Sequence, residues 1–151
     1  MLKRNRKKGQ SIVEMSLLFP VFLLVIVGGI VDFGFAFYNA LALQQLVNDA
    51  AAISAEKDYN QYETLSYIQN YPATPMGWSQ SGIYTPQVTR LYMSDDSTMI
   101  RVEISYKSKT YTPFYQTMFS AVSGDEFITL RTQATYKVPN VVTARPPILL
   151  E

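Results

Sequence analysis

The sequence predicts an α+β chain. A long N-terminal helix crosses a membrane in its first half and continues into a small head with an antiparallel sheet of three or slightly more strands. Three observations carry that expectation. A charge-free run, Met15–Val31, directly follows a basic cluster. Past Tyr38 the apolar residues recur at three- and four-residue steps, the spacing of one helix face. From Val88 onward, segments alternate apolar and polar residues, the period of a strand with one face buried.

The charge is unevenly laid out. The 151 residues hold 13 Lys+Arg and 12 Asp+Glu, a formal net charge of +1. Five of the basic residues, Lys3, Arg4, Arg6, Lys7 and Lys8, precede Gly9 with no acidic residue among them, so the rest of the chain carries −4. As helix, Met15–Val31 spans ~25 Å against a hydrocarbon core of ~30 Å, and its apolar flanks extend it. A basic cluster ahead of a single apolar run sets the N-terminus in the cytoplasm and the remainder outside. Residues 1–9 are therefore read as a cytoplasmic leader and 10–58 as the long helix. Residues 59–138 form the extracytoplasmic head, and 139–151 an extended tail. A secretory signal cut after Ala42 competes, because Ala40-Leu41-Ala42 fits the small-x-small rule. The apolar stretch is longer than the usual ~7–15 residues of such signals, however, and Asp32–Tyr38 separates it from the cut.

Composition removes most chemistry. With no cysteine and no histidine, thiol catalysis, disulfides, Cys-built metal centres and Ser-His-Asp or Cys-His enzymes are excluded. Asp95-Asp96 lacks the spacing of a calcium loop and reads as a solvated turn. No enzymatic activity, cofactor, metal site, nucleic-acid partner or small-molecule substrate is expected.

The start of the helix carries the functional signal. The basic leader ends in Gly9, and Glu14 follows five positions later, at the mouth of the apolar run. This is the layout of a prepilin, cut on the cytoplasmic side before its apolar helix. A carboxylate in a membrane helix costs ~2.5–3.5 kcal/mol at the helix centre on insertion scales and tends to mark function. A cut after Gly9 makes Gln10 the new N-terminus. In an assembly, Glu14 of one subunit can then pair with the Gln10 ammonium of a neighbour and offset both burial penalties. Read alone, Glu14 is an interfacial carboxylate and the chain an uncleaved anchor presenting a binding or adhesion module.

The match extends beyond the junction. Gly9-Gln10, Val13-Glu14, Pro20, the apolar run and then Asp32-Phe33-Gly34 resemble the TadE-like family, pilin-like proteins of tight-adherence (Tad, or Flp) pilus systems. The resemblance is dense over Gly9–Ala52 and weaker afterwards, and Met15 stands where the Tad processing motif usually has an aromatic. It implies cleavage after Gly9 by a prepilin peptidase and a minor-pilin or pseudopilin role. It also implies a single-pass location in a bacterial cytoplasmic (inner) membrane. The implied partners are the lipid bilayer, the peptidase, other pilin-like subunits and the Tad assembly machinery.

The helix is expected from about Ser11 to about Lys57. Pro20 inside it removes a backbone bond and can kink or locally loosen a membrane helix. Gly28, Gly29 and Gly34 offer small surfaces for close helix approach. Asp32, at the outer boundary, reads as a water-facing interfacial residue, with a contact inside an assembly as the alternative. Leu43, Leu46, Ala50 and Ile53 make the stripe that covers the sheet. A short second helix falls within Tyr59–Tyr71, and 72–86, with three prolines and Trp78, reads as a loop in which Trp78 anchors a satellite core. Strands are expected at Val88–Met93, Met99–Lys107 and Phe127–Val138, with a turn at 94–97. Between the last two strands, Tyr111-Thr112-Pro113-Phe114 opens a short helix or loop crossing.

Overall fold

The computed structural model describes residues 6–78, 82–93 and 97–139. Helix α1 is Arg6–Glu56 and α2 is Gln61–Gln69, followed by strands β1, Tyr84–Tyr92, and β2, Thr98–Lys109. Helix α3, Pro113–Ser123, and strand β3, Phe127–Lys137, complete the chain. The strands make one antiparallel sheet in the order β1-β2-β3, so the α+β class expected from sequence is the class observed. Lys3, Arg4, the turn at 94–96 and the tail from Asn140 lie outside the described residues. The chain divides into two units, one of residues up to Ala40 with Lys107–Leu130, the other of Leu41–Tyr106 with the chain from Arg131 onward.

In the unit that begins at Leu41, α1 buries Leu43, Leu46, Val47, Ala50, Ala51, Ser54 and Ala55. The expected stripe thus shifts at its end. Ile53 is only half-buried, because a 3.6-residue period carries the covered face to positions 54 and 55. Ile100, Val102, Ile104 and Tyr106 of β2 are buried as the alternation predicts, while Arg101 is exposed and Glu103 and Ser105 are half-exposed. Burying each such aliphatic side chain favours folding by about 1.5–3 kcal/mol.

Strand β1 pairs with β2 from Tyr84↔Tyr106 to Tyr92↔Thr98. It begins four residues before the expected Val88, with Pro86 opposite Ile104. Proline reads as a loop signal, yet at a sheet edge its missing N–H faces no partner strand, so the strand accepts it. Trp78 is buried and stacks on Tyr84 with ring centroids 3.9 Å apart. Tyr106 donates its hydroxyl to the Met76 carbonyl, which fixes the same loop.

Helix α2 opens on a capping box. The Asn60 side chain accepts from the Glu63 N–H at 2.9 Å, and the Glu63 carboxylate accepts from the Asn60 N–H at 2.8 Å. Helix α1 has no basic residue in its last turn. Arg90 of β1 supplies the cation that the negative end of a helix favours. It donates to the Asp58 carboxylate at 2.6 Å and to the carbonyls of Asp58 and Tyr59 at 3.2 and 2.9 Å.

The other unit holds the N-terminal part of α1, the end of β2, α3 and the start of β3. Residues 111–126 resolve into helix α3, which begins on Pro113 and ends at Gly124 in the left-handed conformation (φ 76°). Proline at the first helical position and glycine just past the end are the favoured pair of terminators.

Candidate functional site

Two constellations lie along α1. The first is the Gly9 junction. Arg6–Glu56 being one helix, Arg6, Lys7, Lys8 and Gly9 belong to its opening turns, and the helix starts five residues earlier than the expected Ser11. No acidic residue offsets the first turn. Gln10 and Glu14, four apart, share a face. The Gln10 side-chain amide donates to a Glu14 carboxylate oxygen at 3.2 Å, and both side chains are exposed. Every residue from Gln10 to Leu24 is exposed, Pro20 included. Helix α1 continues through Pro20. It is the one helix among the described residues long and apolar enough to cross a membrane.

The second constellation was missed from sequence. Asp32 does not face water; it is 1% exposed. Its carboxylate accepts the Tyr111 N–H at 2.7 Å, the Thr112 N–H at 3.2 Å and the Thr112 hydroxyl. Those donors stand just before α3, where a negative charge is favoured by the helix dipole. Seven residues along α1 in either direction, the same face repeats the arrangement. The Asn39 amide donates to the Ser108 hydroxyl at 2.9 Å, and the Tyr115 hydroxyl donates to the Val25 carbonyl at 3.1 Å. Gly28 and Gly29 make room between them. A Cβ on Gly29 would lie 2.6 Å from the Tyr115 hydroxyl, and one on Gly28 would touch Thr112 at 3.4 Å. Phe33 meets Tyr115 and Phe119 edge-on at 5.8 and 6.5 Å, and Phe35 lies 4.9 Å from Tyr111. The glycine pair therefore does serve close helix approach, to α3 of the same chain. The available sequence signal was a lone acid at an apolar boundary and a second charge-free segment, Thr110–Gly124.

Residues 9–52 match the model of the TadE-like protein family. This stretch is TadE-like. No curated protein and no solved structure matches the chain. The TadE-like segment opens on Gly9 and takes in Gln10, Glu14, Pro20, Asp32 and Asn39, while Arg6, Lys7 and Lys8 of the junction precede it. TadE-like proteins are pilin-like components of Tad pilus systems, and the match associates the chain with that class. Together with the apolar helix, it points to a single-pass membrane protein. Among the described residues, no three His, Cys, Asp or Glu side chains converge on one point.

Proposed function

We propose that this chain is a minor pilin or pseudopilin of a Tad-type pilus, made as a precursor and cut between Gly9 and Gln10 by a prepilin peptidase. The observation that carries the reading is the TadE-like match that begins at Gly9 and runs down the apolar helix. Lys3, Arg4, Arg6, Lys7 and Lys8 hold the leader in the cytoplasm; the head is extracytoplasmic. The cut frees an ammonium at Gln10, and Glu14 of a neighbouring subunit accepts it during assembly. The chain performs no catalysis itself.

One observation favours the uncut anchor as a second reading. Helix α1 includes Gly9, whereas proteases cut exposed, locally unfolded backbone most readily. Two features weaken that turn. Glycine destabilises a helix interior by roughly 0.5–1 kcal/mol relative to alanine. Cations at a helix N-terminus oppose its dipole, each worth about 0.3–1 kcal/mol. Mass spectrometry of the membrane-extracted protein separates the readings. Expressed with an active prepilin peptidase, the wild type yields a chain starting at Gln10, and Gly9→Val accumulates as precursor. Retention of residues 1–9 in the wild type overturns the cleavage step.

A further inference from the structure

Helix α3 carries one broad apolar arc. Tyr115 and Phe119 meet Phe33 of α1. Phe114, Met118 and Val122, at successive four-residue steps, form a second stripe that is 43, 39 and 83% exposed. Ile30 and Phe37 of α1, 69 and 71% exposed, extend the apolar surface of this unit. At 3.6 residues per turn the two stripes adjoin in one broad apolar arc, of which α1 covers one edge and leaves the other open. From Thr110 to Gly124 there is no charged residue. Gln116, Thr117 and Ser123 of α3 donate to carbonyls of its own backbone or of the residues before it. The Thr117 hydroxyl donates to the Pro113 carbonyl at 2.8 Å, and the Ser123 hydroxyl to the Phe119 carbonyl at 2.8 Å. The Gln116 amide donates to the Thr110 carbonyl at 2.9 Å. Such internal bonds suit a surface that does not meet water.

The height of α3 along α1 decides what covers it. Tyr115 is bonded to the Val25 carbonyl and sits over Gly29, and both positions belong to the charge-free run Met15–Val31. Val25 is six residues short of Val31, ~9 Å along the helix. α1 cannot enter a bilayer as far as Val31 without taking the first turns of α3 with it. In-plane amphipathic helices sit ~5–10 Å into the headgroup and acyl boundary, the same depth. Asp32, the acid at that level, has its carboxylate turned onto Tyr111 and Thr112.

We infer that α3 is an in-plane membrane helix whose Phe114–Met118–Val122 face is covered by lipid of the leaflet on the head side. This rests on the proposal above that α1 crosses the membrane. The chain has no native cysteine, so Phe22→Cys, Phe114→Cys, Met118→Cys and Val122→Cys can each be labelled with an environment-sensitive fluorophore in the full chain. The labelled chains are reconstituted into vesicles of phosphatidylethanolamine and phosphatidylglycerol that carry lipid quenchers at shallow or deep positions. Labels at 114, 118 and 122 are expected to show blue-shifted emission, lost more to the shallow quencher than to the deep one. The label at 22 is expected to lose more emission to the deep quencher. Water-like, unquenched emission from the three α3 labels while 22 stays quenched overturns this inference alone. Water-like emission at 22 overturns the membrane-span reading beneath it. Blue-shifted emission at the α3 labels that neither quencher reaches means protein covers the stripe, and also overturns the inference.

Discussion

Within its unit, Asp32 ties α1 to the residues just before α3. Its carboxylate satisfies two backbone N–H groups and one hydroxyl at a site closed to water. Hydrogen bonds to a charged group contribute about 1.5–3 kcal/mol, and a buried donor left unpaired forfeits its solvation as well. Asp32→Ala should therefore destabilise this unit by about 2–3 kcal/mol. The loss should appear locally as faster hydrogen exchange at the Tyr111 and Thr112 amides; unchanged protection there would show that the carboxylate does not hold them. The glycines offer a second contrast. Gly29→Ala forces a methyl to 2.6 Å from the Tyr115 hydroxyl, while nothing lies within 4 Å of a Cβ at Gly34. Gly34→Ala should raise stability by roughly 0.5–1 kcal/mol through helix propensity. Gly29→Ala should lower it by about 1–3 kcal/mol, the range for overpacking. Thermal unfolding of both variants in detergent micelles measures the difference, and equal shifts would contradict the close approach.

At the scale of elements, the contact between α1 and the end of α2 carries a pH dependence. Tyr71, just past α2, donates its hydroxyl to the Asp49 carboxylate of α1. That bond, with burial and the Asp49 charge, pushes the Tyr71 pKa up from 10.0 to about 12. Folding therefore favours the protonated phenol. The stabilisation is complete below the unfolded value of 10.0 and is lost as pH rises toward about 12. Between those limits the wild type should lose stability that Tyr71→Phe does not lose over the same interval, as denaturant titrations at successive pH values would show. The elements themselves were mostly legible beforehand. Alternation placed β2, which buries one face, and β3, where the same alternation leaves only Ala134 buried and Tyr136 exposed, and the apolar period placed α1 to within a residue of its C-terminal end. What escaped depended on partners distant in sequence. Pro86 reads as a loop residue until β1 is known to be an edge strand. Arg90 shows no sign of closing α1, because its acceptors lie 31 and 32 residues upstream. At the junction, the sequence pointed to Gly9 and Glu14 but not to the contact between Gln10 and Glu14 within one chain; no spacing rule could reveal that Asp32 is buried.

For the whole molecule, the near-zero charge conceals a division between a +5 leader and a −4 remainder. Under the proposed cut after Gly9 the product is acidic, and near-neutrality is a property of the uncut chain alone. The unit that includes the membrane-type helix joins two pieces of chain far apart in order of synthesis. Asp32 is 80 residues ahead of Thr112. At ~5–20 residues/s of synthesis, Thr112 follows Asp32 by roughly 4–16 s. For most of that interval, once Glu56 has been added, all of α1 has been synthesised while the Asp32 carboxylate has none of its final donors. The buried polar contact of Asp32 therefore closes only after the whole of α1 and both strands before α3 have been synthesised.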